Sequence, residues 1–226
     1  MFKLNTVNRD FGSGDLLVRA VNNVSFEIKQ GEFTAIVGPS GSGKSTLLNM
    51  MSGLDIPTAG DIYLNGELMS KMKGNQLSDY RRDHIGFIFQ SYNLIPVLTV
   101  KENIEYIMLL QGVSVEERNI RVSSILNDLG LNGKENRFPR ELSGGQQQRV
   151  AVARAMVSQP AIILADEPTA NLDSHTGTSL IEKMLELNEK NGMTFIFSTH
   201  DEKIMKRAKR LIVLEDGQID KDITQN

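Results

Sequence analysis

Gly38-Pro39-Ser40-Gly41-Ser42-Gly43-Lys44-Ser45-Thr46 can hold a triphosphate with its backbone. A glycine, four residues and then Gly-Lys-Ser follow the apolar run Phe33 to Val37 and precede Leu47-Leu48-Asn49-Met50-Met51, which reads as strand, glycine-rich loop, helix. Glycines at 38, 41 and 43 open backbone angles closed to other residues, so successive N–H groups can converge on phosphate oxygens. The helix that follows adds the positive end of its dipole at the same place. Lys44 is expected to reach the outer phosphates and Ser45 to ligate Mg²⁺. The plainer alternative is a tight turn before a helix.

Two carboxylates stand farther along. Ala161 to Ala165 is a continuous apolar run, as in a strand buried in a parallel sheet, and it ends in Asp166-Glu167. Adjacent carboxylates there are poor for stability and well placed for chemistry: Asp166 can hold Mg²⁺ through its water shell, and Glu167 can orient and deprotonate an attacking water. Gln90 ends another strand, where its amide either bonds a metal-bound water or caps the strand. His200 ends a third, within reach of a γ-phosphate. Ser143 and Gln146 have capping-box spacing, yet Gly144 and Gly145 between them suggest close approach of backbone N–H groups to a second phosphate. Phe11 and Val18 flank the loop Gly12 to Asp15; both are ordinary half-buried residues or Phe11 stacks on a purine base.

The elements that must position these residues follow from pattern. Residues 2–37 read as mostly β, 76–83 as helix, and Ile85 to Phe89 as strand. From 91 to 140 the character turns helical: Thr99 caps a helix through Gln111, and Ser114-Val115-Glu116-Glu117 is a capping box opening a helix to Leu129. Ser91 to Leu98 leads in with more apolar side chains than an exposed connector needs, packed inward or offered to another protein. A helix from Ser174 stops at Asn191-Gly192, Met193 to Ser198 is a further buried strand, and Glu215-Asp216-Gly217 marks a hairpin. The fold expected is α/β: a single domain over 1–226, with a phosphate-loop NTPase core and mostly parallel central sheet (1–90 and 141–226), an N-terminal antiparallel β subdomain, and an inserted helical subdomain (91–140).

Composition bounds the class. With 226 residues, 40% of them apolar and 23% charged, the chain can bury a real core and is not disordered. A net charge of −3 argues against nucleic acid as a main partner, and the absence of cysteine removes disulfide and thiolate chemistry. No apolar run approaches the roughly 18 residues that cross a bilayer, and the first residues lack a signal-peptide profile. A cytoplasmic chain that reaches a membrane only through another chain is therefore expected.

Gly38–Thr46, Gln90, Leu142–Gln146, Ile162–Glu167, Asn171–Asp173 and His200 together resemble, in order and spacing, the nucleotide-binding subunit of ATP-binding-cassette transporters, over essentially the whole chain. The resemblance implies an ATPase with ATP and Mg²⁺ as ligands. It implies that Phe11 stacks on adenine, that the loop from Gly38 through Pro39, Ser40, Gly41, Ser42, Gly43, Lys44, Ser45 and Thr46 holds the phosphates, and that Gln90 senses Mg²⁺ and the nucleophilic water. Ser143, Gly144, Gly145 and Gln146 would bind the γ-phosphate of a partner subunit. Asp166 would hold the metal, Glu167 act as catalytic base, Asp173 lie in the inter-subunit loop, and His200 serve as the switch histidine. One triphosphate does not need two glycine-rich cradles on one small protein unless they face different copies, so a head-to-tail homodimer with ATP at its interface is expected.

Gly86 to Val100 followed by Glu102-Asn103 is similar to the lipoprotein-release and macrolide-export branch (LolD and MacB types). That branch implies a permease partner of the MacB, LolC or FtsX type and a place on the inner face of the cell membrane. A regulator of the FtsE type, gated by nucleotide without moving cargo, is the alternative. A soluble ATPase of DNA repair or translation fits less well, because the chain has neither a long coiled-coil insertion nor a second cassette.

Overall fold

The computed structural model describes residues 1–225, and all of their side chains except that of Asp15. Strands β1 (Phe2–Phe11) and β2 (Val18–Ile28) form an antiparallel hairpin in which Phe2 faces Ile28 and Leu4 faces Phe26. Strand β4 (Ala59–Leu64) pairs antiparallel with the other edge of β1, and the short β5 (Glu67–Leu68) completes a sheet of order β2-β1-β4-β5.

The second sheet is mostly parallel. Its order is β10-β9-β3-β8-β7-β6, from β3 (Phe33–Val37), β6 (Ile85–Ile88), β7 (Ile162–Asp166), β8 (Thr194–Thr199), β9 (Arg210–Glu215) and β10 (Gln218–Thr224). Only β10 runs antiparallel, joined to β9 across Asp216 and Gly217, both with positive φ, as a two-residue hairpin turn requires. The strand expected at 85–89 ends one residue earlier, and those expected at 161–165 and 193–198 each lie one residue later in the chain. Asp166 and Thr199 are consequently the last residues of their strands.

Side chains alternate across this sheet into two cores. Ile36, Ile162, Leu164, Ile196 and Ile212 point toward α1 (Lys44–Met51), whose Leu47, Leu48, Met50 and Met51 are buried between the parallel sheet and Phe2, Leu4 and Ile62 of the antiparallel one. Phe33, Ala35, Val37, Ile163, Ala165, Phe195 and Phe197 point the other way, against α5 (Gly144–Met156) and α6 (Ser174–Asn191). Because both faces are covered, strands read in sequence as unbroken apolar runs.

Helix α2 (Asn75–His84) runs into β6, and α7 (Glu202–Arg207) precedes β9. Between β6 and α5 lie α3 (Val100–Leu110) and α4 (Val115–Asp128). Their Val100, Ile104, Met108, Val122, Ile125 and Leu126 join the same apolar cluster as α5 and α6 rather than enclosing one of their own. Thr99 forms a full capping box with Glu102. Ser114 forms half of one: its hydroxyl accepts from the Glu117 N–H, but the Glu117 carboxylate takes the Arg121 guanidinium at 2.7 Å instead of the Ser114 backbone N–H, a full ion pair in place of a bond between an ion and a neutral donor. Leu94 of the lead-in segment packs inward against the core, while Val97 is 77% exposed. The buried amide of Asn103 ties it down, accepting from the Ile95 N–H and donating to the carbonyls of Ile95, Leu98 and Thr99.

Strand β6 meets α5 so closely that a Cβ on Gly86 would lie 2.2 Å from the Ala155 carbonyl oxygen. Gly86→Ala is expected to cost about 2 to 3 kcal/mol of unfolding free energy, read as a lower urea midpoint at unchanged slope.

Candidate active site

Parallel register brings the carboxyl ends of β3, β6, β7 and β8 to one edge, with Val37 beside Thr199, Asp166 beside Ser198, and Ile88 beside Ala165. The residues that leave those ends meet there, at the edge where open α/β sheets bind ligands. A cavity of about 550 Å³ is lined by Gly38 to Gly41, Gly43 to Thr46, Gln90, Glu167, His200 and Ala20.

The loop from Gly38 to Gly43 is shaped by its neighbours as well as by its own glycines. A Cβ on Gly38 would sit 2.0 Å from the Leu214 carbonyl oxygen of β9, and one on Gly43 would sit 2.2 Å from that of Ala20 in β2. Both also have positive φ, 154° and 98°. Lys44, 8% exposed, opens α1, and its ammonium donates to the carbonyls of Gly38 and Pro39 at 2.9 and 2.8 Å, so the charge is held inside the loop. The Ser45 hydroxyl donates to Asp166 Oδ1 at 3.0 Å. The Ser45 hydroxyl and the Asp166 carboxylate, with Gln90 lining the same cavity as Ser45, offer hard oxygen donors with a single negative charge. Such a set suits a small divalent cation that keeps waters and shares phosphate oxygens; among the described residues there is no cluster of three or more acidic, histidine or cysteine ligands.

Glu167 leaves β7 with φ of 45°, an uncommon value for a residue with a side chain, and its N–H bonds the Ser198 carbonyl at 2.9 Å. Its carboxylate is gripped at both oxygens: Oε1 lies 2.7 Å from His200 Nδ1, and Oε2 accepts from the Thr199 hydroxyl at 3.3 Å. A carboxylate oriented in this way beside a phosphate-binding loop can accept a proton from a water that attacks phosphorus.

Ser143, Gly144, Gly145, Gln146 and Asp173 do not line this cavity. Ser143 caps α5 in a full capping box with Gln146. Asp173 caps α6 by accepting from the N–H groups of His175 and Thr176, and the Thr176 hydrogen bonds hold its carboxyl below the usual carboxylate range. The two helix tips touch, since a Cβ on Gly145 would be 2.5 Å from Thr176 Cγ2. The second glycine of the pair thus has a packing reason within the chain, separate from any phosphate. Phe11 faces Val18 across the end of the β1–β2 hairpin, outside the cavity lining, with the Arg9 guanidinium 4.4 Å from its ring centroid.

Sequence reasoning passed over two residues. Ala20 forms one wall and presses on Gly43; its signal was its place two residues after Val18 on the same strand face. Arg154 lies among the apolar Val150, Ala151, Val152, Ala153 and Ala155 of α5, and a lone arginine in such a run is itself a signal. Burial pulls its pKa below the ordinary arginine value, and its guanidinium donates to the carbonyls of Tyr92 at 2.9 Å and Asn93 at 2.6 Å. Asn171 donates to the Gln90 carbonyl at 2.9 Å. A separate cleft of about 600 Å³ opens between α2, β6 and α3, with Arg154, Tyr106, Leu110, Arg81 and Phe89 in its walls.

Residues 21–170 match the family model described as ABC transporter. The chain belongs to that family, as an ATP-binding cassette with ATPase chemistry. It is 43% identical over 226 residues to the uncharacterized ABC transporter ATP-binding protein MJ0796 of Methanocaldococcus jannaschii, covering 98% of this chain and 96% of that one. A dimeric structure of that protein in a post-hydrolysis state, bound to ADP and Pi, superposes with a TM-score of 0.92 at 42% identity, covering 100% of this chain and 99% of the other. The macrolide export ATP-binding/permease protein MacB of Escherichia coli is 45% identical over 219 residues, which are 97% of this chain and 34% of that protein. This chain therefore spans about a third of the macrolide export relatives.

The contact between helix tips has a measurable consequence. Gly145→Ala gains helix propensity, yet the stiff, β-branched Thr176 cannot move its methyl aside. The substitution is expected to destabilise by about 1 kcal/mol alone and to become neutral or stabilising in a Thr176→Ser background, where that methyl is gone. Thermal unfolding of the four proteins of this cycle checks it.

Proposed function

We propose that this chain is the ATP-hydrolysing motor subunit of an export or mechanotransmission complex of the lipoprotein-release and macrolide-export kind, with two copies closing head to tail on two ATP molecules. The observation that carries the reading is the separation of two helix N-termini: the one at Lys44 shares a cavity with Glu167 and His200, and the one at Ser143 does not line it. A triphosphate cradled by Gly38–Thr46 reaches a Ser143–Gln146 tip only when that tip belongs to a second copy. C₂ symmetry then makes two equivalent shared sites. The dimeric MJ0796 structure with ADP and Pi supports this arrangement.

Within each site, Lys44 and the loop N–H groups neutralise charge on the outer phosphates, and Phe11 and Val18 receive the base. Ser45 and Asp166 would hold Mg²⁺, and Gln90 would sense it from the wall of the same cavity. The ion supplies charge stabilisation at the phosphates when bound. Glu167 takes the proton of the attacking water, His200 meets the γ-phosphate, and Asp173 lies at the contact between copies. The partner is a permease at the inner face of the cell membrane, as the name of the macrolide export relatives suggests. Among the described residues no helix is long and apolar enough to cross a membrane. The cleft walled by Tyr106, Leu110, Phe89 and Arg154 is the place we assign to that permease, because it is large and apolar and its Arg154 also holds the segment that carries Gln90.

Glu167→Gln keeps the shape of the side chain and removes the base. It is expected to lower ATP turnover at least about a hundredfold and to accumulate an ATP-bound dimer that elutes ahead of the monomer on size exclusion with Mg-ATP. A folded variant that binds ATP and still elutes as monomer would refute the shared site.

A further inference from the structure

We propose that Thr199 is a positioning residue for hydrolysis, and that its hydroxyl fixes the Glu167 carboxylate in the orientation in which it receives the proton. This rests on the reading of Glu167 as the base. Thr199 ends β8, is fully buried, and sits in register beside Val37, the residue before the phosphate loop. Its hydroxyl has one proton to give and lone pairs to receive. The N–H of Asp201 donates to it at 2.9 Å, and it donates to Glu167 Oε2 at 3.3 Å.

The direction of that proton is set by the surroundings. The Asp201 carboxylate is turned to other donors: its Oδ2 accepts from the Thr169 hydroxyl at 2.8 Å and its Oδ1 from the Lys203 N–H at 2.9 Å. The same two bonds hold the Asp201 backbone where its N–H meets Thr199. A threonine χ1 is stiff in any case. The Glu167 carboxylate is the remaining acceptor, and the hydroxyl is aimed at it.

Glu167 needs such an anchor. With φ at 45° it has left the strand, so strand alternation no longer decides where its side chain points. Of its two partners, His200 has a side chain 75% exposed and stands on the loop after β8. Thr199 belongs to a buried strand. Of the two, Thr199 is the fixed support and His200 the movable one, so Glu167 keeps its aim when His200 turns to a phosphate. Small errors in aim cost rate rather than binding.

The test uses the full chain with Mg-ATP. Thr199→Val replaces the hydroxyl by a methyl of the same shape and is expected to lower kcat about tenfold with KM for ATP unchanged within about twofold. Thr199→Ser, which keeps the hydroxyl, is expected to retain more than about half of kcat. In a Glu167→Gln background Thr199→Val is expected to leave the residual single-turnover rate unchanged, because a residue acting through Glu167 has nothing left to act on. Thr199→Ala runs in parallel, so that misfolding of one variant leaves the comparison intact. An unchanged kcat in Thr199→Val, an equal loss in Thr199→Ser, or a further drop in the double variant overturns the proposal while leaving Glu167 as base. Near-normal turnover in Glu167→Gln alone overturns the assignment of the base itself.

Discussion

The parallel register of β3, β6, β7 and β8 is the constraint on which the site depends. Four segments far apart in sequence end at one edge, and each hands its next residues to the same cavity: the loop at Gly38, Gln90, Glu167 and His200. A slip of one residue in any pairing would move alternate side chains to the opposite core. Ile36 and Ile196 would then change places with Ala35 and Phe197, which belong to differently shaped clusters. The two cores therefore enforce the register, and the register assembles the site.

The phosphate loop is held from outside as well. Leu214 on β9 and Ala20 on β2 bring backbone carbonyls onto Gly38 and Gly43, so the loop lies against both sheets. The N-terminal hairpin thus does more than carry Phe11 and Val18. It supplies a wall of the cavity and limits the shapes the loop can take, a form of preorganisation that leaves little for the ligand to induce.

Polar side chains connect the remaining parts. Arg154 holds Tyr92 and Asn93, whose positive φ values of 62° and 48° turn the chain after Gln90. Asn171, just before α6, holds the Gln90 carbonyl, and Asn103 holds the stretch from Ile95 to Thr99. Asn103, fully buried, is costly to leave without partners. The segment from 90 to 98 is consequently fastened at several points to α5, α3 and the turn before α6. It runs along the cleft on one side and reaches the cavity on the other.

By itself the sequence determined the α/β class, the strand-loop-helix at Gly38, the acidic pair at the end of an apolar strand and the caps at Thr99 and Ser143, because these are local matters of period, backbone freedom and hydrogen-bond reach. Only the tertiary structure decided that Gly145 is demanded by Thr176, that Ala20 walls the cavity, and that Thr199 and His200 both reach Glu167. Those outcomes depend on which surfaces are pressed together across the sheet, and long-range contact leaves no period in the chain. Arg154 lies between the two cases: its charge in an apolar helix was visible, but its carbonyl partners were not, since they lie some sixty residues away.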